Sequence, residues 1–306
     1  MQLHVVSPLF TGTTEDETLI LKRKDLWIDW LQSDGFQDLR QMCREQIAIY
    51  AYSPGTELVI PKKDDPNSIK VTFPQHRQAR VPKGLVARCH LLMVLEQIDQ
   101  RGDDPTNVVL ACIDGSGAFD FDCLKLLVEA FNDNATVDVV LGRRPADYSG
   151  METGRKEIEE FEQYLLLRHR PEQAGRAFSA YDLSNRILPD GQAGCWGFRL
   201  RAASRLPLTA SGYELEFDLL ASAVEASLIV AYTKPLLMPR IPRYSGASKN
   251  AVEMSIKKLT FIERKLGITR ADTAAAWGEF ASRFAGSPVM KNILPDYEPQ
   301  LRASFE

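Results

Sequence analysis

The stretch VVLACIDGSG, residues 108–117, joins a fully apolar run to an aspartate and a glycine-rich turn. A short continuous run of branched and aliphatic residues is typical of a strand that is buried on both faces of a parallel sheet. An acid directly after such a strand lies at the carboxyl edge of the sheet, where open α/β folds bind their ligands. Asp114 is therefore a candidate site residue, although an ordinary turn with Gly115 and Gly117 at positive φ accounts equally well for this segment.

Similar short runs alternate with longer amphipathic segments along the chain, which is typical of a mostly parallel sheet covered by helices. The pattern predicts strands at residues 3–6, 46–52, 69–73, 107–113, 137–141, 195–200 and 228–232. It predicts helices at residues 83–100, 122–132, 152–168, 214–225, 249–265 and 271–284. A further helix is predicted to begin after Thr14 and to end at Gly35. The predicted fold class is therefore α/β.

The overall composition restricts the classes of function. The chain has 306 residues, with 37 basic and 41 acidic side chains and a formal net charge of −4. Such a mildly acidic protein has no general electrostatic reason to coat nucleic acid or an anionic membrane. Its five widely spaced cysteines include no C-x-x-C pair, so they are expected to be reduced thiols. No apolar run reaches the length of a membrane span, and we expect a cytoplasmic protein, either free or peripherally bound to a membrane.

Two later segments carry a more specific pattern. Residues 190–199 are DGQAGCWGFR, and residues 212–220 are GYELEFDLL. The chain here resembles the family 2 glycosyltransferases, nucleotide-sugar enzymes of GT-A fold, and especially the branch of polyprenyl-phosphate (dolichyl-phosphate) mannosyl and glucosyl transferases. That branch typically has D-x-Q-S-G-F-R-x-F-R followed by G-Y-x-F-[DE]-x-E-L-L. The residues that match without a gap are Asp190, Gln192, Gly194, Phe198 and Arg199 in the first pattern and the acids Glu216 and Asp218 in the second.

Two flanking segments agree with the same family in order and spacing along the chain. Residues 138–144, DVVLGRR, resemble the family strand ADVVIGSR. Residues 239–249, PRIPRYSGASK, resemble the basic loop that closes over the donor diphosphate. Before this stretch, residues 80–87, RVPKGLVA, also resemble the segment GKGAAL that opens a family helix, where Lys83 either approaches the diphosphate or is an ordinary solvated residue. The resemblance extends from about residue 107 to residue 249.

The resemblance implies a GT-A (Rossmann-like) domain over residues 1–248, with a mostly parallel sheet flanked by helices. Its nucleotide-binding half would be residues 1–115 and its acceptor half residues 116–248. Residues 249–306 would form a C-terminal helical extension. The implied activity is transfer of a sugar from a nucleotide-sugar donor to a small molecule, glycan or lipid phosphate, with inversion at the anomeric carbon.

The same resemblance implies roles for individual residues. Sugar transfer places negative charge on the leaving diphosphate, which cations must stabilise. In the family a D-x-D pair holds Mg²⁺ or Mn²⁺ there, and Asp114 takes the place of its first, metal-binding carboxylate. Asp218, with Glu216 as the second choice, would accept the proton of an acceptor hydroxyl, although acids in this position also complement a helix N-terminus. The implied donor-binding residues are Pro8, Phe10, Lys83, Asp114, Asp190, Gln192, Arg240, Arg243 and Lys249.

The chain departs from the family in its nucleotide motifs. Ser116 replaces the second metal aspartate, and residues 51–57, AYSPGTE, replace the family segment D-D-G-S-x-D. Whether a metal is required is therefore open. Two alternatives also remain: a nucleotidyltransferase of related architecture, and a catalytically silent GT-A-like binding or scaffold protein. The first of these would normally carry a glycine-rich, basic loop directly after the first strand, where this chain has only Gly12.

Overall fold

Strands and helices alternate along the described part of the chain. The computed structural model describes residues 1–8, 25–44, 47–52, 83–101, 104–114, 119–145, 155–183, 188, 192–212, 214–237, 248–284 and 303. The strands are β1 Gln2–Pro8, β2 Ile47–Tyr52, β3 Val108–Ile113, β4 Val139–Arg143, β5 Cys195–Arg199 and β6 Val230–Pro235. The helices are α1 at 25–31, α2 Asp34–Met42, α3 Lys83–Arg101, α4 Cys123–Asp133, α5 Arg155–His169, α6 Pro171–Ala177, α7 Leu215–Glu225, α8 Ser248–Leu266 and α9 Arg270–Phe284. A 3-10 helix, Leu200–Arg205, follows β5.

The six strands form one sheet in the order β2-β1-β3-β5-β4-β6. Strand β5 is antiparallel to both of its neighbours, and the other pairs are parallel. This arrangement confirms the predicted α/β class with a mostly parallel sheet flanked by helices. Six of the predicted strands are present with boundaries shifted by one to three residues, while the strand predicted at 69–73 lies outside the described residues.

Helices cover both faces of the sheet, which explains why β3 is apolar and buried at every position. Side chains of α1, α2 and α4 pack in one buried cluster with one face of the strands. Side chains of α3 and of α5 to α9 pack in a second cluster with the other face. A strand between two such layers has no solvent-facing side, so its residues need not alternate between polar and apolar.

The predicted end of the first helix at Gly35 is wrong. The helix ends at Leu31, and Ser33 caps a separate helix, α2, with its Oγ accepting a hydrogen bond from Phe36 N–H at 3.3 Å. Gly35 lies in the first turn of α2, where an added Cβ would stand 2.2 Å from the Asp122 Oδ1 atom of α4. The glycine therefore avoids a clash with the Asp122 carboxylate and does not terminate a helix.

The two C-terminal helices pack in the same core as the sheet. Leu259 and Ile262 of α8 and Trp277 of α9 are buried in the cluster that contains α5. The rings of Trp277 and Phe161 are T-shaped with centroids 5.0 Å apart. The domain boundary predicted at residue 248 stays a prediction, but the helices that follow it share the core of the residues before it. Among the described residues, no helix is both long and apolar enough to cross a membrane.

Candidate functional site

The predicted site residues that the structure describes gather at the carboxyl edge of the sheet. Strands β1, β3, β4 and β6 run in the same direction, so their last residues lie at one edge. Val6 of β1 pairs with Cys112 of β3, and Pro8 and Asp114 each follow two residues later. Since the chain leaves β1 toward β2 on one side and returns to β3 on the other, this is the topological switch point where open α/β sheets bind ligands.

Asp114 is fixed at this edge by the segment that precedes β5. Its backbone N–H donates a hydrogen bond to the carbonyl of Gly194 at 2.7 Å, and its side chain is half-buried. Because β5 is antiparallel to β3, the beginning of β5 lies beside the end of β3. Gln192, two residues before Gly194, is thereby brought to the same edge as Asp114, as the resemblance implies.

The ends of β4 and β6 extend this edge on the other side. Arg144 follows β4 directly and forms a buried ion pair with Glu159 of α5. Leu236, which follows β6, donates its N–H to the Arg143 carbonyl at 2.7 Å. The next residue, Leu237, accepts a hydrogen bond from the Asp120 N–H at 3.1 Å. The described chain therefore reaches the carboxyl edge immediately before the basic segment 239–249 begins.

A buried set of charged and amide groups lies behind Gln192. The Lys258 Nζ atom of α8 is 3.1 Å from Glu162 Oε2 and 2.8 Å from Gln192 Oε1. The Gln192 Nε2 atom donates to the backbone carbonyl of Glu159 at 3.2 Å. Burial raises the pKa of Glu162, and the neighbouring Glu159 carboxylate acts in the same direction, while the Lys258 ammonium opposes both. We call Lys258, Glu162, Gln192, Glu159 and Arg144 the Lys258 network.

The two acids predicted as catalytic lie at the start of α7 and have different surroundings. Asp218 is 0% exposed, and its Oδ2 accepts hydrogen bonds from the backbone N–H groups of Thr209 and of Ala210, the latter at 2.7 Å. Its Oδ1 is 2.9 Å from the Lys265 ammonium of α8. Both carboxylate oxygens of Asp218 are thus engaged by protein groups. Glu216, 5% exposed, is two residues away on the helix, and side chains at that spacing point in different directions.

The N-termini of α3 and α7 meet at the same edge. Helix α3 runs from this edge toward the start of β3, and α7 runs from it toward the start of β6. At Gly84, in the first turn of α3, an added Cβ would lie 2.7 Å from the Gly212 carbonyl oxygen. The close approach explains the glycine at position 84. Two helix N-termini carry partial positive charge, which favours an anionic ligand nearby.

The predicted donor-binding residues fall into three groups. Pro8, Asp114 and Gln192 lie at the carboxyl edge, and Lys83 and Lys249 occupy the first turns of α3 and α8. The remaining ones, which lie outside the described residues, are Phe10, Asp190, Arg240 and Arg243. Lys258, Glu162 and Arg144 lie behind Gln192 and are not among the site residues that the sequence predicts. The sequence gives little sign of this buried set, because charged residues in amphipathic helices such as α5 and α8 normally face solvent.

Few of the described side chains at this edge could bind a divalent cation. Asp114 places one hard oxygen ligand at the switch point, and Ser116 lies outside the described residues. Within those residues, no group of three or more His, Cys, Asp or Glu side chains is arranged to hold a metal ion. A single carboxylate fits a Mg²⁺-like ion whose other ligands are substrate phosphates and water, and it does not fit an ion held by the protein alone.

Comparisons with known proteins give similarities of fold only. No family model and no curated protein matches the sequence. The chain is similar to crystal structures of glucosyl-3-phosphoglycerate synthase from Mycobacterium tuberculosis. The complex with Mn²⁺, UDP and phosphoglyceric acid is 14% identical, with 88% of this chain and 79% of that chain covered and a TM-score of 0.48. The complex with Mn²⁺, UDP-glucose and phosphoglyceric acid is 14% identical, with 88% and 80% covered and a TM-score of 0.49.

Likeness at this identity and TM-score says nothing about the reaction of this chain. It also does not identify the chain with glycosyltransferase family 2 or with its polyprenyl-phosphate branch. Those assignments stay predictions that depend on the sequence motifs.

Proposed function

We propose that the protein is a GT-A-type glycosyltransferase that moves a sugar from a nucleoside diphosphate sugar to an acceptor, with inversion at the anomeric carbon. One observation carries this proposal. Two segments that separately resemble family motifs meet, in their described residues 108–114 and 192–199, at the carboxyl edge beside the topological switch point. They are joined there by the hydrogen bond from the Asp114 N–H to the Gly194 carbonyl, 2.7 Å long. A chance likeness in either segment gives no reason for the two to meet where such sheets bind ligands.

Asp114 is proposed to face the diphosphate of the donor. When bound, Mg²⁺ or Mn²⁺ supplies positive charge against the diphosphate as the anomeric C–O bond breaks. Because Asp114 is one carboxylate, we expect the ion to bind together with the nucleotide, whose phosphate oxygens complete its ligands. Cationic side chains also stabilise phosphate oxygens. The proposed cationic contacts to the diphosphate are Lys83, Arg240, Arg243 and Lys249, and the proposed contacts to the rest of the donor are Pro8, Phe10 and Asp190.

Glu216 is the better candidate for the base that accepts the acceptor proton. A general base must come within hydrogen-bond reach of the hydroxyl that it deprotonates. Asp218 is buried and its two oxygens are occupied by the chain at 209–210 and by Lys265, which favours a structural role. Glu216, which is also buried, points in a different direction from the same helix turn. An acceptor that is already an anionic phosphate needs no base.

The test is thermal unfolding in the presence of UDP-, GDP- and dTDP-sugars and of the corresponding nucleoside triphosphates, each with and without Mn²⁺. It is followed by an assay of sugar transfer and donor hydrolysis. A donor that binds only the folded protein stabilises it by about 2.7 kcal/mol at a hundredfold excess over Kd, which raises the Tm. The variant Asp114→Asn is expected to lose the Mn²⁺-dependent part of this shift. The matched control Asp133→Asn, at an exposed position near the end of α4, is expected to keep it.

Each other outcome of this test has a distinct meaning. The absence of a shift with every donor, with and without Mn²⁺, would contradict the proposal. A shift without sugar transfer or donor hydrolysis would support the catalytically silent binding protein. A larger shift with nucleoside triphosphates than with nucleotide sugars would support the nucleotidyltransferase.

A further inference from the structure

The Lys258 network connects helix α8 to the candidate site through buried groups. Lys258 is 8% exposed and its partners Glu162 and Gln192 are 0% and 5% exposed. The three side chains belong to α8, to α5 and to the segment that enters β5. Lys258 of α8 thus contacts Gln192 of the motif DGQAG, which is 66 residues away in sequence.

Stability alone does not explain this arrangement. Removing an ammonium and a carboxylate from water costs several kcal/mol per ion, and an apolar pair of similar volume is often at least as stable. The ion pair of Lys258 with Glu162 is therefore weak evidence for a stabilising role. The second contact of Lys258, to Gln192, is not needed for a simple connection between α5 and α8.

The contacts of Gln192 fix which way its amide points. The Lys258 ammonium has only donors, so it must face the carbonyl oxygen of the amide. The Glu159 carbonyl has only acceptors, so it must face the amide nitrogen. A hydrogen bond from a charged donor is shorter and stronger than one between neutral groups, which makes the Lys258 contact the dominant one. The side chain of Gln192 is thus held from two directions, by α8 and by α5.

This anchor continues to the carboxylate that is proposed to meet the donor. Gln192 is two residues before Gly194, and the Gly194 carbonyl accepts the N–H of Asp114 at 2.7 Å. We propose that Lys258 is a positioning residue that sets the place of Asp114 through Gln192 and Gly194, so that helix α8 is a working part of the donor site. The functional part of this inference rests on the proposed function, while the positioning itself is independent of it.

The test compares three variants of the full chain. Lys258→Met combined with Glu162→Gln removes both charges of this ion pair together, so neither partner is left as an unpaired buried ion and the variant is expected to fold. Lys258→Arg keeps the charge and is expected to retain most of the function that the double variant loses. Leu259→Ala, one residue along α8, weakens packing of the same helix without touching the network, and it controls for general destabilisation.

The first readout needs no ligand. Hydrogen exchange of the Asp114 amide is expected to accelerate by about tenfold or more in the charge-free double variant, while the amide of Ala111 inside β3 keeps its wild-type rate. In Leu259→Ala, any acceleration is expected to affect Asp114 and Ala111 alike. An Asp114 amide that exchanges at the wild-type rate in the double variant would overturn the inference.

The second readout is donor binding and the effect of Asp114→Asn upon it. The double variant is expected to weaken Mn²⁺-dependent nucleotide binding by about tenfold, as losses of supporting contacts at metal sites do. Added to that variant, Asp114→Asn is expected to cause a smaller further loss than in the wild type, because both act on one carboxylate. Full additivity would overturn the inference. A wild-type protein that binds no donor would overturn the proposed function instead, and the exchange rates would still decide the positioning.

Discussion

The Asp122 carboxylate, just before α4, leaves no space for a side chain at Gly35 of α2. An alanine at position 35 would place its Cβ 2.2 Å from Asp122 Oδ1, and the Asp122 carboxylate would have to move. That oxygen accepts a hydrogen bond from Trp30 Nε1 at 2.8 Å, so the movement breaks a second contact. We expect Gly35→Ala to lower the free energy of unfolding in urea by about 1–2 kcal/mol. The control Gly278→Ala, in α9 with open space around it, is expected to raise that free energy by up to about 1 kcal/mol. Equal effects of the two substitutions would contradict this account.

Loss of charge at the two acids of α7 is expected to change different properties: stability at Asp218 and catalytic rate at Glu216. Asp218→Asn breaks a buried ion pair with Lys265 and weakens the bonds from 209–210, so it should cost about 2 kcal/mol or more in urea unfolding. Glu216→Gln is expected to leave donor binding nearly unchanged and to lower kcat for a hydroxyl acceptor by about a hundredfold. A Glu216→Gln enzyme with wild-type kcat, beside a stable Asp218→Asn enzyme that is inactive, would return the base to Asp218.

At the scale of elements, the end of α5 makes the packing of α9 sensitive to pH. Burial lowers the pKa of His169, and the cations Arg168 and Arg170 lower it further. The acids Asp272 and Glu279 of α9 raise it, but less than these effects lower it. The folded state therefore prefers the neutral ring, and the unfolded chain binds more protons near the ordinary pKa of 6.5. Stability is expected to be level above that pH and to fall as the pH falls through 6.5. In His169→Gln, this part of the pH dependence of Tm should disappear, and an unchanged slope would contradict it.

Most helices and strands could be predicted from the sequence because the spacing of apolar residues reflects which positions are buried. Strand β3 was predicted from six apolar residues in succession, and each of them is buried. Helix α2 was missed because Gly35 normally stops a helix, whereas here it is needed by the neighbouring Asp122. Helix α6, Pro171–Ala177, was missed because seven residues show too little periodicity.

The sequence predicted the candidate site only in part, for a related reason. Asp114 and Gln192 follow or precede strands, so the sheet alone brings them together. Lys258 lies on helix α8, and its contact with Gln192 depends on how α8 packs against α5. The position of a whole helix depends on many apolar contacts across the core, and a local sequence pattern does not reveal these contacts.

At the scale of the whole molecule, the shared core predicts that residues 249–306 are required for folding. Removal of α8 and α9 would expose the apolar surface that packs on Leu259, Ile262 and Trp277. It would also leave the carboxylate of Glu162 buried without Lys258, which is costly for a charge in the interior. We expect a fragment of residues 1–248 to show no cooperative thermal unfolding by circular dichroism, while the full chain unfolds cooperatively. A fragment that unfolds cooperatively with a Tm close to that of the full chain would show instead that the predicted boundary at 248 separates two independent units. In that case α8 would be an attachment to the sheet domain, and the donor site would have to form without it.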